Sequence, residues 1–259
     1  MADLVLYEVR EQVGIVTLNR PEKRNAMNDE MSEQFYECYN KALDDPDNRA
    51  VLIRAEGPSF CAGRDTTVLG HRARDESDYH FVLRHQQRNL RTIEHPKPVI
   101  AAINGHAIGG GFELALAADI RIAADDAKLS IPEIKYGLLP DTGASQFLTV
   151  LIGPSRTKLM MLTGRVVDAQ TADNWGMVDL VVPRADLDAE AFALARDIAS
   201  RPPIALAMGK QLANHIYGGA VRAGIGMELL TQTATFWSED YKEARAALRE
   251  KRPPAFKGR

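Results

Sequence analysis

Apolar, largely β-branched or aromatic positions dominate Leu4–Val9 and Val13–Leu18, which read as a pair of strands across the Glu11-Gln12 turn. A helix follows to about Leu43, with Asn28 as its N-cap and Asp45-Pro46-Asp47 as its stop. Ala50–Ala55 is a short apolar run, as in a strand buried on both faces, and Glu56 to Asp65 is a loop. The polar stretch from Thr66 to about Asp78 is another loop, ahead of a long helix to about Ile93. Pro96 and Pro98 frame the entry to a strand, Val99–Ile103. Asp119–Ala123 and Lys128–Ser130 are strand-like again. This recurrence of strand and helix predicts α/β layers rather than separate α and β halves. From about Pro202 the strands stop. Ile204–Tyr217, Val221–Trp237 and Tyr241–Glu250 read as helices. Residues 1–200 are therefore expected to form an α/β core, and residues 201–259 an appended helical region of the kind that covers an oligomer interface.

The most informative stretch is Ile103-Asn-Gly-His-Ala-Ile-Gly-Gly-Gly-Phe-Glu-Leu-Ala-Leu-Ala-Ala-Asp119. Three consecutive glycines ahead of a helix expose backbone N–H groups to a ligand at close approach. The helix N-terminus carries partial positive charge, so the loop suits a developing oxyanion. Glu113, three residues past Gly110, brings a carboxylate to the same place. This is the composition of an oxyanion hole with an acid/base beside it. Tight packing of helix on strand also calls for small residues, but three adjacent glycines cost much backbone entropy for that purpose alone. No Gly-Lys-Ser/Thr follows, and the glycines are contiguous, so neither a phosphate loop nor a dinucleotide fingerprint is present.

Two other segments carry candidate chemistry. In Ser59-Phe-Cys-Ala-Gly-Arg-Asp65 the small residues Ala62 and Gly63 let the backbone approach a ligand and leave the Arg64 N–H free to donate; taken alone, an ordinary turn after a buried strand is the better explanation. In Ser130-Ile-Pro-Glu-Ile-Lys-Tyr-Gly-Leu-Leu-Pro-Asp-Thr-Gly143, Glu133 follows Pro132 within an apolar, tightly turned segment. Burial there raises a carboxyl pKa toward acid/base use. A solvated glutamate at a helix N-terminus is the equal alternative. Asp141 either caps a helix beginning near Gly143 or adds a further acid.

Charge and composition narrow the classes. A net charge of −3 lacks the basic footprint of a nucleic-acid binder. Cys38 and Cys61 are expected to be free thiols in a reducing compartment. The N-terminus shows no signal-peptide h-region, and no apolar run is long enough to span a bilayer, so a soluble, cytoplasmic protein is expected. Gly143-Ala-Ser145-Gln-Phe147 lacks the last glycine of a nucleophile elbow. His80 and His85 are spaced to diverge on a helix, so no metal site is expected, and His106 reads as structural. The basic tail to Arg259 reads as a solvated terminus.

In this order and at these distances the segments resemble the enoyl-CoA hydratase/isomerase, or crotonase, family. Leu18-Asn-Arg-Pro-Glu-Lys-Arg-Asn-Ala-Met27 is similar to its first CoA-binding segment. Phe60-Cys-Ala-Gly-Arg-Asp65 and Ile103–Asp119 are similar to its two oxyanion-hole loops, and the Glu250–Arg259 tail to its usual C-terminus. The resemblance implies an α/β fold: a crotonase-like spiral of β-β-α units with a C-terminal helical trimerisation region, in a homotrimer or a dimer of trimers. It implies an acyl-CoA thioester substrate, no metal, no cofactor beyond the CoA of the substrate, and neither nucleic acid nor membrane as partner. It assigns acid/base catalysis to Glu113 and Glu133, and the oxyanion to the backbone N–H groups of Arg64 and Gly110. Substrate contacts would come from Lys23, Arg24, Ala26, Ala62, Asp65, Thr66 and Thr67, with Gly109 and Asp141 at the acyl site. Phe256 and Lys257, from this or a neighbouring subunit, would close over the adenine.

Two positions depart from the family's pattern. Asp141 stands where many hydratases have glycine, and some isomerases of the family use an aspartate there to move a proton along the acyl chain. Thr66 follows Asp65 where an apolar residue is common. The implied activity is hydration of a 2-trans-enoyl-CoA. An enoyl- or dienoyl-CoA isomerase using Glu133 and Asp141 is the alternative. An RNA-binding or scaffold member is a third class, against which the acidic net charge and the presence of both glutamates argue.

Overall fold

The chain winds by laying down one long strand and then one short strand, and repeating. The computed structural model describes residues 3–71 and 74–259, the side chains of residues 216 and 217 excepted; Arg72 and Ala73, inside the loop expected over Thr66–Asp78, lie outside that description. Strands β1 (Val5–Arg10), β2 (Val13–Leu18), β3 (Ala50–Ala55), β5 (Val99–Ile103), β7 (Ile120–Ala124) and β10 (Leu180–Val182) form one sheet in that spatial order. β1 and β2 are antiparallel, with Glu11 and Gln12 both at positive φ in the turn, and all other pairs of that sheet are parallel. Strands β4 (Ser59–Cys61), β6 (His106–Ile108), β8 (Lys128–Ser130) and β9 (Val166–Asp168) form a second sheet, parallel except at β8–β9. Three times a long strand of the first sheet leads into a short strand of the second: β3 to β4, β5 to β6, β7 to β8.

Helices fill the intervals: α1 (Asp29–Asp44), α2 (Asp78–Glu94), α3 (Gly110–Ala117), α4 (Ala144–Thr163), α5 (Ala169–Trp175), α6 (Leu187–Ala199), α7 (Pro203–Thr235) and α8 (Glu239–Glu250). The larger sheet is buried on both faces, which is why its strands read as apolar runs. Val13, Ile15, Ala50, Leu52, Ile100, Ala102, Ile122 and Ala124 point toward α6, whose Ala191, Ala195 and Ala199 recur every four residues and allow close packing. The alternate residues, among them Val16, Leu18, Val51, Ile53, Val99 and Ala101, face the main core with Phe35, Phe60 and Phe112. Asn28 caps α1 by accepting from the Met31 N–H at 2.9 Å.

Two expectations are corrected. The segment expected as a loop, Glu56 to Asp65, contains β4, a strand too short to show a period. The helices expected over Ile204–Tyr217 and Val221–Trp237 are one helix of 33 residues, α7. Gly218 and Gly219 cost about 1 kcal/mol each relative to alanine in a helix. Burial of Val221, Ile225 and Leu229 in the next turns, and the Lys210 and Asn214 bonds to backbone carbonyls at the end of α2, outweigh that cost. Among the described residues, no helix is long and apolar enough to cross a membrane.

Candidate active site

A cavity of about 190 Å³ opens between the N-terminus of α3, one face of α2 and the Pro132–Thr142 segment. Its floor is backbone. The Phe112 and Glu113 N–H groups close onto Gly109 O at 2.8 and 2.9 Å, which leaves the Gly110 N–H ahead of the first helical bond and without an intrahelical acceptor. Arg64 meets Met27 in an isolated parallel bridge: Met27 N donates to Gly63 O at 2.7 Å, and Asp65 N donates to Met27 O at 2.9 Å. That pattern skips the Arg64 N–H, which lies on the other side of its strand segment. Ala62, Gly63, Arg64, Gly109 and Gly110 all line the cavity.

The glycines bring the two loops together. Gly63 has φ +82°, and a Cβ there would stand 2.6 Å from Ile108 O and 3.7 Å from Gly110 N, so the donors lie on adjoining loops. Gly109 has φ +54°, and its missing Cβ would fall 2.5 Å from Glu133 Oε1. Gly111 has no room for a Cβ beside the Cys61 carbonyl. Gly110 has open space in front of it.

Two carboxylates face this floor and differ in their partners. Glu113 is 1 % exposed, and its Oε1 accepts from Thr142 N and Ala144 N, each at 3.0 Å. Burial pushes its carboxyl above the usual range, while those two N–H groups and the charge of Arg88 pull back. Glu133 begins a short 3-10 turn, Glu133–Tyr136. The residue keeps some surface open to the cavity, but Oε2 is buried with no hydrogen-bond partner. Burial, and then the charges of Glu113, Asp141 and Glu228, hold its carboxyl well above the usual range. The carboxyl with bonded amides is thus the better host for a negative charge, and the one with an unpaired oxygen the better host for a proton. The two readings left open for Glu133 resolve to the half-buried one.

Asp141 lines the same cavity, and its backbone oxygen accepts from Gln86 Nε2 at 2.7 Å. It does not cap α4: the N-cap position is Gly143, and its amides are taken by remote carboxylates. Glu113 holds those of Thr142 and Ala144, while Glu228 of α7 holds those of Gly143 at 2.7 Å and Ser145 at 3.1 Å.

The family profile described as enoyl-CoA hydratase/isomerase matches residues 8–259. The chain belongs to the enoyl-CoA hydratase/isomerase family. A probable enoyl-CoA hydratase of Mycobacterium bovis is 37% identical over 257 residues, covering 98% of each chain. A 1,2-epoxyphenylacetyl-CoA isomerase of Escherichia coli is 35% identical, covering 100% of each. The crystal structure of an enoyl-CoA hydratase/isomerase from Pseudoalteromonas atlantica superposes with a TM-score of 0.89 at 30% identity, covering 98% of this chain and 100% of that one. The two-sheet winding is therefore the crotonase fold.

The remaining residues that the family resemblance singles out fall into three groups. Lys23 and Arg24 are exposed on the turn after Pro21, and this turn is fixed to the oxyanion loop by Ala62 N donating to Arg24 O at 3.0 Å. Ala26 closes the same turn by donating to Lys23 O at 3.0 Å. Thr66 lines the cavity, whereas the Asp65 carboxylate is held inside the fold: it accepts from Thr67 N at 3.0 Å and Thr67 Oγ1 at 2.7 Å, and pairs with Arg20 at 2.8 Å. Asp65 and Thr67 thus brace the loop. Phe256 and Lys257 lie outside the cavity on an exposed tail, where Lys257 N donates to Asp240 Oδ1.

Two residues of this family member's cavity, His85 and Arg88, escaped the sequence reading, and so did Glu228, which holds the amides at the start of α4. The signal was present in each helix. Val221, Ile225 and Leu229 form the buried stripe of α7, and Glu228 falls on that stripe. The buried stripe of α2 is mostly polar (Gln86, Arg88, Asn89, Thr92), which marks a helix that faces a lined cavity rather than an oily core. His85 is held neutral: burial, then the charges of Arg88, Arg84 and Arg64, push it down to about 3. Its Nδ1–H donates to Phe81 O at 2.7 Å, so Nε2 is left as an acceptor 3.4 Å from the Ser32 hydroxyl.

Proposed function

We propose that this family member is an enoyl-CoA hydratase that adds water to a 2-trans-enoyl-CoA and yields the 3-hydroxyacyl-CoA. The observation that carries this reading is the pairing of two unlike buried carboxyls, Glu113 and Glu133, above the Gly110 helix N-terminus and the Arg64 loop. The thioester oxygen accepts from the Arg64 and Gly110 N–H groups. Glu113, the better host for charge, orients and deprotonates the water that attacks Cβ. Negative charge then collects on the thioester oxygen as an enolate, and Glu133 delivers its proton to Cα. Each oxyanion donor is worth about 3 kcal/mol in the transition state. Lys23, Arg24, Ala26, Ala62 and Thr66 lie on or beside the oxyanion loop, where the CoA moiety would run, with Phe256 and Lys257 available at its adenine end. No metal or redox cofactor enters this scheme. A cytoplasmic location fits a CoA-dependent reaction.

A second reading has its own support: Asp141 lines the same cavity and its charge acts on Glu133, as a two-carboxyl proton shuttle along an acyl chain requires. Incubation with crotonyl-CoA in oxygen-18 water, followed by mass spectrometry, separates the two. Hydration places the label in a 3-hydroxyacyl product, and Glu133→Gln abolishes it. Absence of label with the folded wild-type enzyme, together with double-bond migration in a longer enoyl chain, would overturn hydration in favour of isomerisation.

A further inference from the structure

We infer that the α2 wall of the cavity binds an anionic group carried by the acyl chain itself, with Arg88 as its receptor, so that the preferred substrates are thioesters with a carboxylate at the far end of the chain. The inference rests on the acyl-thioester reading above, which supplies a chain able to reach this wall.

Arg88 is 7 % exposed and lines the cavity. Its guanidinium donates no hydrogen bond to any described residue and makes no ion pair with one. Nε is buried and unpaired. The guanidinium carbon lies over the Phe35 ring, 5.3 Å from its centre. The neighbouring arginines have carboxylate partners: Arg64 pairs with Asp29 at 2.6 Å, and Arg84 with Glu33 at 2.9 Å and Glu76 at 2.8 Å. The buried amides of the same helix donate to backbone carbonyls: Gln86 to Asp141 O and Ile225 O, and Asn89 to Thr142 O. Among the described residues, the Arg88 guanidinium thus has no acceptor for its five donors, which is costly for a buried cation in a folded protein.

Glu113 is the rival explanation, because its charge acts on Arg88 through space. A guanidinium placed there to hold Glu113 ionised would bond it; instead Glu113 takes two amides, and Arg88 forms no bond to it. A planar fork that stacks on an aromatic ring suits a carboxylate. The charges lining the cavity are unlike: Glu133 and Asp141 repel an anion, whereas Arg88, near the Ser32 hydroxyl and neutral His85, attracts one.

The test compares binding of hexanoyl-CoA with that of its analogue ending in a carboxylate. Both are saturated, so no turnover is needed. We expect the carboxylate-ended thioester to bind wild type about tenfold more tightly or better, Arg88→Met to erase that ratio, and Arg88→Lys to keep part of it. The matching 2-enoyl pair should show the same ratio in KM rather than in kcat. Equal or weaker binding of the carboxylate-ended compound to wild type overturns the inference, as does an unchanged ratio in Arg88→Met; if Arg88→Met does not fold, the wild-type ratio decides. Should neither enoyl compound be hydrated while the saturated pair keeps its ratio, the hydratase reading fails and the charge receptor stands.

Discussion

At the scale of single residues, the site works through inequality between two glutamates. Glu113 spends one oxygen on two backbone amides, whereas Glu133 leaves Oε2 unpaired, so the proton belongs on Glu133. The pH profile follows. Activity requires Glu133 protonated and is lost as pH rises through its raised pKa; it requires Glu113 ionised and is lost as pH falls through a pKa that is itself raised. Both limbs of kcat against pH are therefore expected above the ordinary glutamate range, as properties of the pair. An acid limb near pH 4 would contradict the assignment. Glu133→Gln should lower kcat by about a hundred- to ten-thousand-fold. The same change should raise thermal stability at pH 8. A carboxyl whose folded pKa is raised favours the folded state only at low pH, and that advantage is lost as pH rises through the folded pKa, whereas glutamine has none to lose. The gap in Tm should close as pH falls toward 4, and a gap that widens instead would refute burial of an ionisable Glu133. Glu113 was legible from a local signal, the glycine run, whereas the proline before Glu133 left burial and solvation equally open. Glu228 was not legible, because it acts on amides 83 and 85 residues away, and no local pattern carries that distance.

At the scale of elements, α3 shows how neighbouring glycines can do different work. A methyl group on Gly111 collides with the Cys61 carbonyl of β4, so Gly111→Ala should force the helix off the second sheet and cost about 1–3 kcal/mol. Gly110 has empty space before it and lines the cavity, so Gly110→Ala should leave stability unchanged or slightly raised while its methyl intrudes on the substrate and lowers kcat/KM. Thermal melts beside kinetics check both; equal melting temperatures for the two variants would contradict the packing argument. Most of the elements that were legible in advance were the longer ones: β1, β2, β3 and β5 from their apolar content and α1 from its cap and stop, with the short β8 read as well. β4, β6 and β9 have three residues each, too few to display any period, and they are paired only by the winding of the chain. The error at α7 came from the opposite direction. Gly218 and Gly219 are local breakers, and the tertiary packing that overrides them is invisible in a window of sequence.

At the scale of the whole molecule, α7 has two faces with different owners. On one, the Lys210 ammonium reaches Asp119 at 2.7 Å and the Thr92 and Lys97 carbonyls at 2.7 and 3.0 Å, pinning the helix to the core. About half a turn of rotation away, Ile204, Met208 and Leu212 follow one another every fourth residue at 72, 60 and 73 % exposure. An apolar stripe on a face held outward is an unburied interface. We therefore expect a second and third copy of the chain to cover it, giving a homotrimer or a dimer of trimers, and light scattering at micromolar concentration to return three or six times 28.6 kDa. Leu212→Glu should yield monomers with an unchanged far-ultraviolet spectrum. The same helix carries Glu228, which holds the start of α4 and, through it, the segment that binds Glu113. Monomers should thus lose activity as well as mass, because an α7 no longer braced by its neighbours holds Glu228 less firmly. A wild-type monomer that is fully active would break this link between assembly and catalysis, and a Leu212→Glu monomer with full activity would show that α7 keeps Glu228 in place unaided.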